Sequence, residues 1–372
     1  MARRFAAALS EHPVTAHAVG EVAGHLLDAV GAAPDLVTVF VTPPHAGALE
    51  DVASALDTIL QPRTLLGCAA VSVVGEAREV EETPAVVAWA GRTGAVTPVR
   101  LDTASDDLPV PGVEPGALLL VADPFSFDVE ELFGRIRGLP VIGGFASAAR
   151  GPGGNRLVLN GQVFTDGAVG ALLGPSIEVR SVVSQGCRPI GQPYVVTRSE
   201  RNVVYELGGQ PAYQRLVDLA NNSLAEEDLR LVNRGLHMGL VIDEHKPDFG
   251  RGDFLVRNVI GADPDHGAIA VSDVVDVGTT VQYHVRDAVT ADEDLREMLA
   301  GKDAEAALVF TCNGRGIGLF GRPHHDAAVV AEALDDPATA GFFAAGEFGP
   351  VGGRNFVHGF TASVALFRSP TG

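Results

Sequence analysis

The sequence predicts an α+β fold: two related halves of mixed, largely antiparallel β-sheets covered by helices. Three observations carry this. Apolar strand-like runs alternate with helical periods, which indicates βαβ-type units. Hairpin signals lie between them, led by Leu157-Val158-Leu159, the Asn160-Gly161 turn and Val163-Phe164. One unit, an apolar strand followed by a helix and then a strand of small residues, recurs three times. Its closing strands are LLGCAAVS from Leu65, VIGGFASA from Val141 and GFFAAGEF from Gly341. Internal duplication and chance echo both remain open from sequence.

In order along the chain, Val19, Val22, Leu26, Leu27 and Val30 set a helical period over 15–30. Leu36 to Val41 reads as a buried strand, 46–60 as a helix stopped by Pro62, and 65–74 as a strand of small residues. Strands follow at 84–90, 96–101 and 116–122, a short helix at 128–137, and a strand at 140–148. After the hairpin come strands at 168–173 and 179–183. A helical stretch over 211–232 is broken near Asn221-Asn222, and strands are expected at 238–242, 254–259, 268–271 and 281–285. The last part reads as helix 291–300, strand 306–310, helix 325–334 and strands 341–347 and 360–367. The turn-rich stretch Gly174 to Gly191 is the boundary candidate, giving domains at 15–180 and 181–370.

The 372 residues suit two domains with cores that need no staples. Acids number 47 against 27 basic residues, a net charge of −20, which argues against a phosphate-tracking nucleic-acid surface and against anionic membranes. Cys68, Cys187 and Cys312 are odd in number, far apart and in no metal spacing, so a reducing cytoplasm is the expected compartment. The apolar run at the start ends at Ser10-Glu11-His12, too short for a signal-peptide core, and no run reaches the length of a membrane span.

The densest group of chemistry-bearing residues follows strand 306–310: Thr311-Cys312-Asn313-Gly314-Arg315-Gly316-Ile317-Gly318. Strand ends of this kind build pockets in α/β proteins. GRGIG has two glycines of a dinucleotide fingerprint but lacks the helix opening, and there is no Walker A sequence. Glu347 lies among residues too small to shield it. It suits a pocket that meets a cation, and equally a turn cap before Pro350. Cys312, His358 and Glu347 supply the residue types of a nucleophilic triad, while a small buried cysteine at a strand end is the plainer reading. Cys68 has the same packing reading, and Cys187 is expected on a turn. His324-His325 is metal-like on paper, but neighbours on a helix point apart, so a solvated helix start is expected. The acidic turns at 243–245 and 263–266 lack EF-hand spacing. Gln282, His284 and Arg286 alternate along a strand and share a face that either lines a cavity or meets solvent.

These segments together resemble the FIST family, with its paired FIST N and FIST C domains. The N-terminal likeness rests on LLGCAAVSVVG from Leu65, GLPVIGGFASA from Gly138 and LNGQVFTDGAVGALLG from Leu159. The C-terminal likeness rests on QGCRPIGQPYVVT from Gln185, FLVRNVIGAD from Phe254 and VQYHVRDA from Val281. It continues through LVFTCNGRG from Leu308 and GFFAAGEFGPVGGRNFVHGFTAS from Gly341. The resemblance implies a cytoplasmic, non-enzymatic sensory protein of signal transduction that binds a small molecule, an amino acid or a related ligand. Its pocket is expected within or between the halves, and its output is expected to pass to a separate signalling protein. Gly67, Cys68, Gly143 and Gly144 are expected on one wall, and Cys312, Arg315 and Glu347 on the other. Arg315 would fork onto a carboxylate and Glu347 would receive an ammonium. No cofactor is expected. The alternatives are a haem-binding nitric-oxide sensor with His284 or His358 as axial ligand, and a Cys312-dependent hydrolase or transferase.

Overall fold

The computed structural model describes residues 3–109, 112, 114–222 and 224–370. The fold is α+β with mixed sheets, and the described chain forms two compact units. The first holds residues through Ser184, then Leu295–Val357, and resumes at Thr361; the second holds Gln185–Asp294 and His358–Phe360. Compactness therefore divides the chain differently from the two linear halves at 15–180 and 181–370, because residues 295–357 return to the first unit.

The first unit contains three six-stranded sheets. Each has one parallel pair with a helix between its strands: Leu36–Val41 with Thr64–Ala69, Ala117–Ala122 with Val141–Phe145, and Ala306–Cys312 with Ala338–Ala344. These are the three recurring units of the sequence, and the repetition extends to the backbone. Gly67, Gly143 and Gly341 lie opposite Val39, Leu120 and Val309 in register. A Cβ on any of the three would stand 1.7 to 1.8 Å from the opposing carbonyl oxygen. Glycine is required at all three because the neighbouring backbone occupies the side-chain position.

Past those glycines the closing strands meet one another. Val71 N–H donates to Ser147 Oγ at 3.0 Å, and that hydroxyl donates to the Phe343 carbonyl. Phe145 N–H donates to the Gly346 carbonyl at 2.9 Å, and Ala345 N–H returns a bond to the Phe145 carbonyl at 3.1 Å. The three sheets also share a core in which Trp89 stacks on Phe5 and packs at a tilt against Phe367, and Phe342 contacts Phe40 and Phe310. Helices Thr15–Val30 and Leu49–Leu60 bury Val22, Leu26, Val52 and Leu56 on one sheet, as their 3.6-residue spacing dictates.

The second unit is a closed antiparallel circuit of six strands. Cys187–Glu200 pairs with Thr280–Arg286, and the circuit runs on through Leu236–Val241, Phe254–Asp263, Ala268–Val271 and Val203–Leu207 back to Cys187–Glu200. Closure removes the exposed edges that an open sheet would carry. Alternation along Thr280–Arg286 puts Val281, Tyr283 and Val285 into the apolar core with Ala212 and Leu219, and puts Gln282, His284 and Arg286 on the opposite face.

Several elements differ from expectation. The run at 65–74 splits into Thr64–Ala69 and Ser72–Gly75, which belong to different sheets. The run at 341–347 likewise breaks before Gly346, which has φ +146. Phe5–Ser10, whose apolar run was too short for a leader, is a strand paired with Val86–Gly91. Cys187 is not on a turn but opens the 14-residue strand Cys187–Glu200, and it is buried. Pro189, Gly191 and Pro193 disguise that strand, and its pairing shifts register between Ile190 and Tyr194 to accommodate them.

Candidate functional site

In the first unit, a buried ionic network forms at the carboxyl ends of the parallel strands Ala306–Cys312 and Ala338–Ala344, where βαβ units place ligand sites. Its centre is Arg315, 2% exposed. Arg315 Nε and Nη2 donate to the two carboxylate oxygens of Asp326 at 2.7 and 2.8 Å. Thr311 Oγ1 donates to the same carboxylate at 2.6 Å, and His325 Nδ1 lies 2.9 Å from its other oxygen. Burial pushes the Asp326 carboxyl upward, but the Arg315 charge and these hydrogen bonds outweigh it and hold the group well below the usual range. Burial alone would depress Arg315, and the Asp326 charge and hydrogen bonds, with smaller contributions from Cys312 and Glu347 nearby, more than compensate. Arg315 Nη1 is buried and has no hydrogen-bond acceptor.

Glu79, from strand Arg78–Glu81, completes the network. Its Oε1 accepts from Ala327 N–H at 3.0 Å and its Oε2 is buried without a partner. Desolvation, then the neighbouring Asp326 charge, raise its pKa from 4.5 to about 8, so it is largely protonated at neutral pH. Two carboxyls side by side, one ionised against an arginine and one holding a proton, are pushed apart in pKa by their surroundings.

Glu347 opens strand Glu347–Val351 and is fully buried. Its Oε2 accepts from Thr361 N–H at 3.1 Å and from Thr361 Oγ1 at 2.7 Å. It is therefore shielded, against the expectation of a carboxylate among residues too small to cover it. Arg315 is electrostatically coupled to both Cys312 and Glu347, so these three expected residues lie in one neighbourhood. Gly144 joins them, paired with Glu347 in register, and a Cβ on it would meet the Ala344 Cβ at 2.8 Å. Gly67 and Gly143 are filled by opposing carbonyls rather than open to a ligand, and Cys68 is a core residue whose thiol burial pushes far up.

His325 corrects an expectation. It is 2% exposed rather than solvated, stacked on Phe320 at 3.4 Å. His324 faces elsewhere, its Nδ1 accepting from Glu79 N–H at 3.0 Å. The side chains that reading by sequence missed are Asp326 and Glu79. Asp326 carried a signal, an acid at the head of the apolar helix His325–Ala333; Glu79 carried none.

The haem alternative falls on His284 and His358, both in the second unit and both buried. His284 Nδ1 lies 3.0 Å from the Gln282 carbonyl, the bond that leaves Nε2 free to ligate. Its ring, however, is 1% exposed and wedged over Gly239 against Phe254. Packing this close leaves no face of the His284 ring for a porphyrin, so His284 does not fit the role of axial ligand in this conformation. Among the described residues no cluster of three or more His, Cys, Asp or Glu is placed to hold a metal ion.

A cleft of about 570 Å³ in the first unit lies between Glu130, Phe133 and Arg137 on one side and Arg354 and Phe356 on the other. It is large enough for a small ligand. None of the expected residues line it, and its two arginines are exposed, so the buried network is the better candidate. No described helix is long and apolar enough to cross a membrane.

Fold and site together define a two-part α+β protein with a buried polar centre. The comparisons give the family. The FIST N domain model matches residues 35–210 and the FIST C domain model matches 211–350. The chain belongs to the FIST family, whose domains are associated with sensory function in signal transduction. An uncharacterized protein of Mycobacterium tuberculosis is 40% identical over 391 residues, covering 98% of this chain and 99% of that protein. One from Mycobacterium bovis is 41% identical over 383 residues, covering 95% and 96%. An uncharacterized protein of Methanocaldococcus jannaschii is 30% identical over 92 residues, 25% of this chain and 18% of that protein.

Proposed function

We propose that the protein is a non-enzymatic sensory module of signal transduction whose small ligand reaches Arg315 beside Cys312 and Glu347. One observation carries the reading: Arg315 Nη1 is buried, charged and without an acceptor, while Nε and Nη2 of the same guanidinium bond Asp326. A buried donor left unpaired costs about 1–3 kcal/mol, more when charged, and a ligand acceptor removes that cost. A carboxylate supplies the acceptor, and the Glu347 carboxylate suits an ammonium, so an amino acid or related zwitterion fits. Asp326 fixes the guanidinium before a ligand arrives, which lowers the ordering cost of binding. The output passes to a separate signalling protein. The cysteines are buried and form no disulfide, which suits a reducing cytoplasm.

Thermal-shift screening against an amino-acid panel tests this, with Cys312→Ser and Glu347→Gln as variants that leave the Arg315–Asp326 pair in place. The reading expects a ligand that raises the midpoint of the wild type and loses most of that shift in Glu347→Gln. A ligand whose shift in both variants equals that of the wild type overturns the assignment to this cluster.

A further inference from the structure

The second unit carries a different set of unmatched polar atoms, on the face that Gln282, His284 and Arg286 share. Arg286 Nε and Nη2 are buried and meet no acceptor. Together they form one edge of the guanidinium, a planar fork of parallel N–H groups. The molecule shows what that edge accepts: in Arg315 the same two nitrogens grip the Asp326 carboxylate.

Beside it stands His237, 5% exposed, with Nδ1 buried and unpartnered. Asn258 lies opposite it in register on the neighbouring strand, and its side chain is a polar neighbour of the ring. Desolvation, then the Arg286 charge, keep the imidazole neutral, with a pKa of about 4. A neutral imidazole carries one lone pair, and the unpartnered Nδ1 is placed to present it to a donor. Phe360 ties the two residues together: its ring centroid is 4.3 Å from that of His237 and 5.3 Å from Arg286 Cζ. Phe360 has φ +65, a left-handed backbone that a bulky aromatic rarely adopts. Such strain collects at ligand clamps.

We propose that Arg286, His237 and Phe360 form a binding site for a small α-hydroxycarboxylate. Its carboxylate takes the Arg286 fork, its hydroxyl donates to His237 Nδ1, and the Phe360 ring covers it. The donor and acceptor count selects this class. An ammonium in place of the hydroxyl brings three N–H donors to one lone pair and is repelled by the guanidinium. A phosphate offers mainly acceptors and turns oxygens toward the His237 lone pair. The inference uses no residue of the Arg315 network.

The test uses the full chain labelled with ¹⁵N-histidine and glycolate as the probe, with glycine and inorganic phosphate as comparators. The His237 resonance is assigned by its loss in His237→Gln. Glycolate is expected to shift the His237 Nδ1 resonance, and the two comparators are not. Arg286→Gln is expected to weaken glycolate binding by about thirtyfold or more. If that variant does not fold, Arg286→Lys keeps the charge, removes the planar fork and is expected to lose at least about tenfold. Cys312→Ser is expected to bind glycolate as the wild type does, which separates this site from the one proposed above. An unmoved His237 resonance, wild-type affinity in the Arg286 variants, or an equal response to phosphate overturns the proposal.

Discussion

Glu79 makes the stability of the protein fall as pH rises through neutrality. Its carboxyl has a pKa of about 8 in the folded chain against an ordinary 4.5 for a solvated glutamate, chiefly because burial disfavours the charged form. The folded state therefore holds a proton that the unfolded state has released. The group's contribution is complete below about pH 4.5 and is lost as pH climbs to about 8 and beyond. The whole displacement, about 3.5 pH units at about 1.4 kcal/mol each, is worth roughly 5 kcal/mol. Between pH 6 and pH 9 about two of those units are crossed, roughly 3 kcal/mol. Glu79→Gln removes the titration while an amide oxygen still accepts from Ala327 N–H. Urea unfolding at both pH values, in wild type and variant, isolates the term from the other groups that titrate in that window. The wild type should lose roughly 3 kcal/mol more than the variant between pH 6 and pH 9. Equal losses would place the Glu79 carboxyl at an ordinary pKa.

Asp326→Asn strips the buried Arg315 of its counter-charge and should cost about 3–5 kcal/mol in urea unfolding, whereas the double variant Arg315→Met with Asp326→Leu should cost clearly less than the single one. Ser147→Ala removes the hydroxyl that serves both Val71 N–H and the Phe343 carbonyl, and should lower stability by about 1–3 kcal/mol with matching loss of amide-exchange protection at Val71. Gly341→Ala drives a Cβ to within 1.8 Å of the Val309 carbonyl and should cost about 3 kcal/mol or more, while Gly318→Ala, with open space around its Cβ position, should unfold within about 0.5 kcal/mol of wild type.

The three βαβ units were legible because burial on both sheet faces writes continuous apolar runs and the close backbone approach writes glycine. What that glycine meant was not legible. A small residue marks either room for a ligand or the absence of any room, and at Gly67 and Gly143 the opposing carbonyl decides it. Cys312, Arg315 and Glu347 were traceable as polar residues at the ends of small-residue strands. The partner of Arg315 was not, since sequence spacing does not say which carboxylate a buried arginine will meet. Glu79 reaches the network only because Ser72–Gly75 pairs with Ala338–Ala344 and carries strand Arg78–Glu81 alongside, 248 positions from the Ala327 amide it receives. The face of Gln282, His284 and Arg286 followed from strand alternation alone, but whether it met solvent depended on elements far away in sequence, Phe360 among them.

Whether a ligand meets Arg315 Nη1 is decided by a high-resolution crystal structure of the protein purified from its own cells. A non-protein acceptor is expected within about 3.2 Å of Arg315 Nη1, close to Cys312 and Glu347, while the two bonds to Asp326 persist. A structure in which Nη1 bonds only to protein groups, with side chains filling the space around Cys312 and Glu347, would contradict it.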